Sequence, residues 1–433
     1  MQSDSTVAFL IICSAMVLFM TPGLAFFYGG LVRASSVVSM MMMSFGSVGL
    51  VGTLWVVYGY AMSFAGATNA GFIGLDGIFG LDPAKLLLAS SYQSASDGNG
   101  FDLVFAGFQG TFAIITVALI SGAIADRARF GGWMIFAALW ATFAYFPIAG
   151  WVFNFTVEEG AVVDGGFLVF NFGLMDFAGG TVVEVASGAA ALAVALVVGR
   201  RFGFAKGMHA PHNVPLTLIG AAILWFGWFG FNAGSQLAAD GTAALAFVNT
   251  LVAPVGALIS WSLYERFTVG KPTAVGAASG AVSGLVAITP SCAYLHPVWA
   301  LVLGLLVGTI CALAVELKWK LGFDDSLDVV GIHLVGGIVG TLFIGLAGEK
   351  VGLFFTGDPT QLGRQAAGVA IVGIWSFSVA WLSAMLVQKT FGFRVKSTDE
   401  IAGVDRVIHG ETAYSETDPR WTWRGSNYIA EPR

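Results

Sequence analysis

The sequence predicts an all-α polytopic membrane protein of eleven transmembrane helices, a 5+5 inverted repeat plus one extra helix. Three observations predict it. The 433-residue chain is 57% hydrophobic and only 11% charged, against about 25% charged in soluble proteins. Its apolar residues gather into eleven long runs separated by polar stretches. The fifth run of each half carries an acid at its start and one titratable side chain inside the membrane, where hydropathy alone would place none. The 58 glycines suit helices packed backbone to backbone.

In order, the spans are 5–32, 36–65, 102–125, 131–155, 176–199, 214–235, 242–264, 272–290, 297–317, 328–347 and 366–390. The first lacks a basic leader and its apolar run is too long for a signal peptide. Pro22 and Gly23 interrupt it, which membrane helices tolerate. An odd number of crossings puts the two ends on opposite sides. Seventeen of the twenty basic residues fall on one side; Lys85, Lys350 and Arg364 fall on the other. That bias places the N-terminus outside and the C-terminus in the cytoplasm of a cell-membrane protein. The chain divides into a transmembrane unit, 1–391, and a tail, 392–433. Segment 66–101 reads as an outer loop with one short helix. The 156–175 loop carries Glu158, Glu159 and Asp164 and no base, giving either weak cation focusing or a solvated surface. No basic patch is interleaved with aromatics, so nucleic acid is not expected. Cys13, Cys292 and Cys311 lie in or beside apolar segments, and their odd number implies no disulfide framework.

The fifth span of the first half reads DFAGGTVVEVASGAAALAVALVVG. Asp176 opens it, where an acid can cap free N–H groups. Glu184 follows eight residues later, about 12 Å deeper at 1.5 Å per residue. Intramembrane acids face a bundle interior, a partner or water. Glu184 is therefore either a structural hydrogen bonder or a station on a path through the membrane. The fifth span of the second half, DVVGIHLVGGIVGTLFIGLAG, opens with Asp328 and carries His333. Gly336, Gly337 and Gly340 share the histidine's face. We expect Glu184 and His333 to approach each other. No second intramembrane histidine stands at ligand spacing, so a metal is not expected. His209 and His212 sit in a basic inner loop and read as solvated.

Aromatic side chains gather at one depth. Phe108 and Phe112 lie four apart in the third span. Trp151 and Phe153 end the fourth, and Phe231 and Ser235 end the sixth. Aromatic faces attract a cation within about 6 Å, and Ser235 adds an acceptor. With 36 phenylalanines present, packing alone is the plain alternative for each.

TPGLAFFYGGLVR, FQGTFA, DFAGGTVVE, WFGWFGFNAGS, DVVGIH and VDRVIHGETAY together closely resemble the Amt/Mep/Rh ammonium transporters, Amt branch, over roughly 5–414. The resemblance implies a homotrimer with one narrow apolar pore per subunit. It implies that Phe108, Phe112 and Ser235 form the outer ammonium site, and that Phe112 and Phe231 are the rings closing the pore. Asp176 then supports the site through the backbone, and His333 is the inner of two pore histidines. Glu184 stands where the outer histidine usually is. Phe153 stands where tryptophan is usual, with Gly150 where histidine is common.

Size does not separate ammonium from potassium. Deprotonation does, provided the proton has a carrier, and Glu184 with His333 suits that role. A non-conducting ammonium receptor is the alternative function. An intramembrane enzyme is disfavoured, since no nucleophile–base pair or metal set is present. No cofactor is expected. The tail segment 403–414 is expected to dock on the basic inner loops 200–206 and 266–271, touching a neighbouring subunit. A PII-type signalling protein could plug the same face.

Overall fold

The computed structural model describes residues 4–66, 73–75, 77–158, 161–207, 210–414, 421–424 and 427–430. Glu159 and His209 lie outside the described residues. Eleven long helices follow one another among the described residues. They are α1 Asp4–Leu31, α2 Val37–Ser63, α3 Phe101–Ile124, α4 Phe130–Phe153, α5 Gly180–Val198 and α6 Val214–Gly234, then α7 Gly241–Thr268, α8 Ala274–Ile288, α9 Pro297–Leu321, α10 Val330–Ala347 and α11 Thr360–Thr390. Ten have the length and apolarity to cross a membrane. The exception is α8, with 15 residues. At 1.5 Å per residue it reaches about 22 Å, short of a hydrocarbon core of ~30 Å. Helix α1 runs through Pro22.

Among the described residues, three two-stranded hairpins accompany the helices: Ile73–Leu75 with Phe79–Leu81, Phe155–Glu158 with Ala161–Gly165, and Trp421–Arg424 with Asn427–Ala430. The first two replace expected loop. Their strands are too short to show a period of two in the sequence. A tight approach fixes the first: a Cβ on Gly74, at φ +141, would lie 2.1 Å from the Phe79 carbonyl. The short helix foreseen in this loop is Ala89–Ser96.

Glycine lets the long helices meet closely. A Cβ on Gly220 of α6 would lie 2.1 Å from the Phe27 amide of α1. With lipid outside, such backbone contact supplies packing that the hydrophobic effect does not.

The face that carries the tail is tied by charge. Arg127, fully buried, donates to the carbonyls of Ala123, Ala125, Gly199 and Asp324 and to Ser326 Oγ. Burial lowers its pKa to about 10. Arg201 pairs with Asp324 at 2.8 Å and Asp126 at 3.2 Å. Burial works against the Asp324 charge, yet the bonds and charges of Arg201 and Arg127 hold its pKa below the ordinary value.

The tail docks on this face within its own chain. The Val395 amide donates to the Arg127 carbonyl at 2.9 Å. Glu400 accepts from the Phe202 amide at 2.5 Å and from Arg394 at 2.8 Å. Asp405 accepts from the Val38 and Ser39 amides at 2.9 and 2.7 Å, capping α2 from outside it. Ser36 precedes α2 but its hydroxyl makes no capping bond. The Tyr414 hydroxyl meets His212 Nε2 at 2.9 Å, while His212 Nδ1 donates to the Val32 carbonyl at 2.8 Å. His212 is thus a fastening and not a solvated side chain. Segment 403–414 itself grips the head of α2 and His212; the contact with loop 200–206 comes from Glu400, just before it, and Arg266 donates to the Gly270 carbonyl.

Candidate functional site

Two helices bring the titratable pair together, and both are locally distorted. Gly180–Val185, at the head of α5, is a π turn, and so is Val330–Leu334 at the head of α10. Glu184 lies in the first and His333 in the second. A π turn inserts a residue and concentrates at functional sites. The helices cross at two glycines: Gly188, four residues past Glu184, meets Leu334, and Gly337, four past His333, meets Glu184. A Cβ on Gly188 would lie 2.4 Å from the Leu334 amide, and one on Gly337 would lie 2.8 Å from the Glu184 Cβ. This approach leaves His333 Nδ1 2.6 Å from Glu184 Oε2. Glu184 is 0% and His333 4% exposed. Glu184 Oε1 has no hydrogen-bond partner among the described residues.

Each π turn begins beneath a carboxylate. Asp176 precedes α5 and does not open it. Its oxygens accept from the amides of Gly179, Gly180 and Thr181 at 2.7–2.9 Å and from the Thr181 hydroxyl at 2.5 Å. The acid expected to match it was Asp328, but Asp328 sits at φ +63 and pairs with Lys318. The counterpart is Asp325, whose Oδ2 accepts the Val330 amide at 2.7 Å. Burial pushes Asp325 up to about 6, with Lys318 pulling it down and Asp328 pushing it further up. The sequence carried a signal for this: Asp325 stands eight residues before His333, as Asp176 stands before Glu184.

Above the pair, four rings close together. Phe112 stacks on Phe231 with centroids 4.1 Å apart and planes at 25°. Phe108 meets Phe112 edge-on at 4.8 Å, and Phe153 does so at 6.2 Å. Helix α6 starts at the tail face and ends at Gly234, just before Ser235, so this cluster lies toward the opposite face. The Ser235 hydroxyl donates to the Phe231 carbonyl at 2.8 Å, which leaves its oxygen lone pairs free to accept. Phe108 lies against Gly234, beside Ser235. Trp151 is not part of the group; it packs against Phe167 and Trp375.

Below the rings is a narrow apolar cavity, bordered by Phe231 and Trp228 at one end and Phe27 at the other. Met20, Leu24, Leu119 and Val282 line it, with Glu184 and His333 as its titratable walls. Sequence reasoning missed these apolar lining residues, which are of the same types as lipid-facing ones. Phe27 also borders a second cavity, where Arg33, Asp126, Arg201 and Asp328 make the wall charged. The order from the opposite face to the tail face is therefore aromatic cluster, apolar chamber with an acid–imidazole pair, then charged vestibule.

The family model described as Ammonium Transporter Family matches residues 8–414. The ammonium transporter of Mycobacterium tuberculosis (strain ATCC 25618 / H37Rv) is 47% identical over 430 residues, covering 94% of this chain and 89% of that protein. Among solved structures, one described as a Sensor Amt Protein superposes with a TM-score of 0.84 at 27% identity, covering 93% of this chain and 98% of its own. Candida albicans Mep2 superposes with a TM-score of 0.82 at 30% identity, covering 100% and 95%. The chain is a multi-pass membrane protein, a transporter by kinship and not an enzyme, and it belongs to the Ammonium Transporter Family.

Proposed function

We propose that this protein transports ammonium across the cell membrane, stripping a proton from the cation at an aromatic site and passing ammonia through the apolar chamber. The observation that carries this reading is the Glu184–His333 hydrogen bond on the wall of that chamber. Phe108, Phe153 and Ser235 hold the cation partly dehydrated, with ring faces and a hydroxyl acceptor replacing water. The Asp176 carboxylate fixes the α5 amides around this site. The stacked Phe112 and Phe231 form the gate. A charged ion in the chamber would be very costly to desolvate, whereas neutral ammonia is not. Potassium has no proton to leave behind and is excluded.

The pair holds a proton in two ways. His333 Nδ1–H donates to the Glu184 carboxylate, or a protonated Glu184 donates to Nδ1. The two groups share one hydrogen bond and act as one carrier. Ammonia leaves through the charged vestibule and is reprotonated there.

Architecture follows the same reading. Helix α8 crosses with the other ten, giving eleven spans. Helices α1–α5 and α6–α10 form an inverted repeat, supported by the matching π turns, the crossing glycines and the Asp176/Asp325 pair. The N-terminus faces outward and the tail lies in the cytoplasm, following the basic-residue bias. Residues 1–391 are the transport unit and 392–433 a regulatory tail. Three copies assemble, each with its own pore, and a PII-type protein docks on the tail face.

Current and pH recordings on proteoliposomes under an ammonium gradient test this. Glu184→Gln should remove the proton carrier and suppress charge movement. Wild-type protein that binds but does not pass ammonium would replace the transport reading with a receptor.

A further inference from the structure

The segment that presents Asp176 is held by α11, a helix that does not border the chamber. Gln365 of α11 is fully buried and uses its whole amide. Its Oε1 accepts the Met175 amide at 2.9 Å, and its Nε2 donates to the Met175 carbonyl at 2.6 Å. The same Nε2 donates to the Thr341 carbonyl of α10 at 3.1 Å. Gln361, one turn earlier, donates to Gln365 Oε1 at 2.9 Å and to the Gly173 carbonyl at 3.1 Å. One amide therefore grips the residue next to Asp176 on both backbone groups and ties it to the helix that bears His333.

Further buried positions on the same face of α11 continue the seam. Leu174 lies against Gly368, where a Cβ would come within 2.5 Å of its side chain. Ser376 donates at 2.6 Å to the carbonyl of Ala186, two residues beyond Glu184. Segment 173–176 has no regular structure of its own to fix the carboxylate. Buried backbone groups need partners, and here α11 supplies them at a defined height.

We infer that Gln365 is a positioning residue for ammonium recruitment, setting through Met175 where Asp176 and the α5 amides stand. It does not touch the cation. The inference rests on the role proposed above for the Asp176 site. Removing the amide leaves Met175 and Thr341 groups unpaired and lets the segment shift. The outer site then loosens while the Glu184–His333 pair, held by the Gly188 and Gly337 crossing, stays intact. KM should rise and the maximal rate should change little.

The test is ammonium uptake by the full-length protein in proteoliposomes, with oligomeric state and thermal unfolding measured alongside. Gln365→Met should raise KM about tenfold, the effect of one lost buried hydrogen bond or a little more. Gln365→Glu should recover most of the affinity, because a buried, protonated carboxyl keeps one acceptor and one donor for Met175. Gln361→Met, which removes only the brace on Gly173, should raise KM less and serves if Gln365→Met fails to assemble. Asp176→Asn runs in parallel. If it raises KM while the glutamine variants lower only the unfolding temperature, Gln365 is merely structural and the inference falls alone. If Asp176→Asn leaves KM unchanged, the reading of the outer site falls and the inference with it.

Discussion

Asp405 makes the grip of the tail depend on pH. Its carboxylate is 1% exposed and accepts the first amides of α2. Burial pushes its pKa from 3.8 to about 6; the Ser39 and Val38 amides oppose this and the Asp126 charge adds to it. A docked value above the free one means that the docked tail binds more protons between the two. Lowering the pH therefore favours docking. The shift is about 2 units at ~1.4 kcal/mol each, so docking carries a penalty on the order of 3 kcal/mol at neutral pH. The penalty fades as pH falls through about 6 and is gone below the free value. Asp405→Asn removes the titration at the cost of one amide bond, about 1 kcal/mol. The assay is hydrogen exchange at Val38 and Ser39, expressed as protection factors so that the intrinsic rate divides out. Wild-type protection should fall as pH rises through about 6, and the variant should be flat and better protected at neutral pH. The same slope in Asp405→Asn would refute the reasoning and assign the titration elsewhere. His409, packed edge-on against Phe130 at 5.4 Å, is not that source: burial lowers its pKa, so its titration strengthens docking as pH rises, the opposite slope.

Three further outcomes are expected. His333→Asp should fold, set a second carboxylate beside Glu184 and hold a wet cation path open; potassium flux measures this, and unchanged ammonium selectivity would deny His333 a pore role. Phe153→Trp should tighten recruitment by about 0.5–2 kcal/mol, read as a lower half-saturating ammonium concentration; an unchanged value in a working protein would mean the ring does not face the cation. Gly188→Val should force α5 off α10, since its Cβ would lie 2.4 Å from the Leu334 amide. A destabilisation of about 1–3 kcal/mol or more should appear as a lower Tm in detergent, and an unchanged Tm would contradict the close crossing.

Most of the helices were legible because hydropathy reports a long apolar run whatever its neighbours. Glu184 and His333 were legible because a charge in such a run is rare. The hairpins at 73–81 and 155–165 were not, since each rests on a few close backbone contacts. The matching acid was misassigned for a local reason. Three aspartates stand at 324, 325 and 328. Only the fold decides that Asp324 answers Arg201, Asp328 answers Lys318, and Asp325 is left for the helix. The π turns had no signal either: a pattern of 3.6 residues per turn cannot reveal where one residue has been slipped in. Gln365 was hidden because its partners are backbone groups, which composition does not mark.

The stacked Phe112 and Phe231 carry a consequence for time. At a centroid separation of 4.1 Å the rings leave no standing opening. On the gating role proposed for them, a path opens only during an excursion of a ring, as of Phe112 away from Phe108, Phe153 and Phe231. Each ring contact is worth about 0.5–1.5 kcal/mol, so clearing three of them costs roughly 1.5–4.5 kcal/mol. Free side-chain rotation takes picoseconds to nanoseconds. The added barrier slows it by one to a few decades, toward the order of a microsecond at the upper end. Passage is then paced by the rarity of the opening and not by the width of a bore. It should be saturating and only mildly temperature-dependent, a clocked turnover and not an ohmic leak.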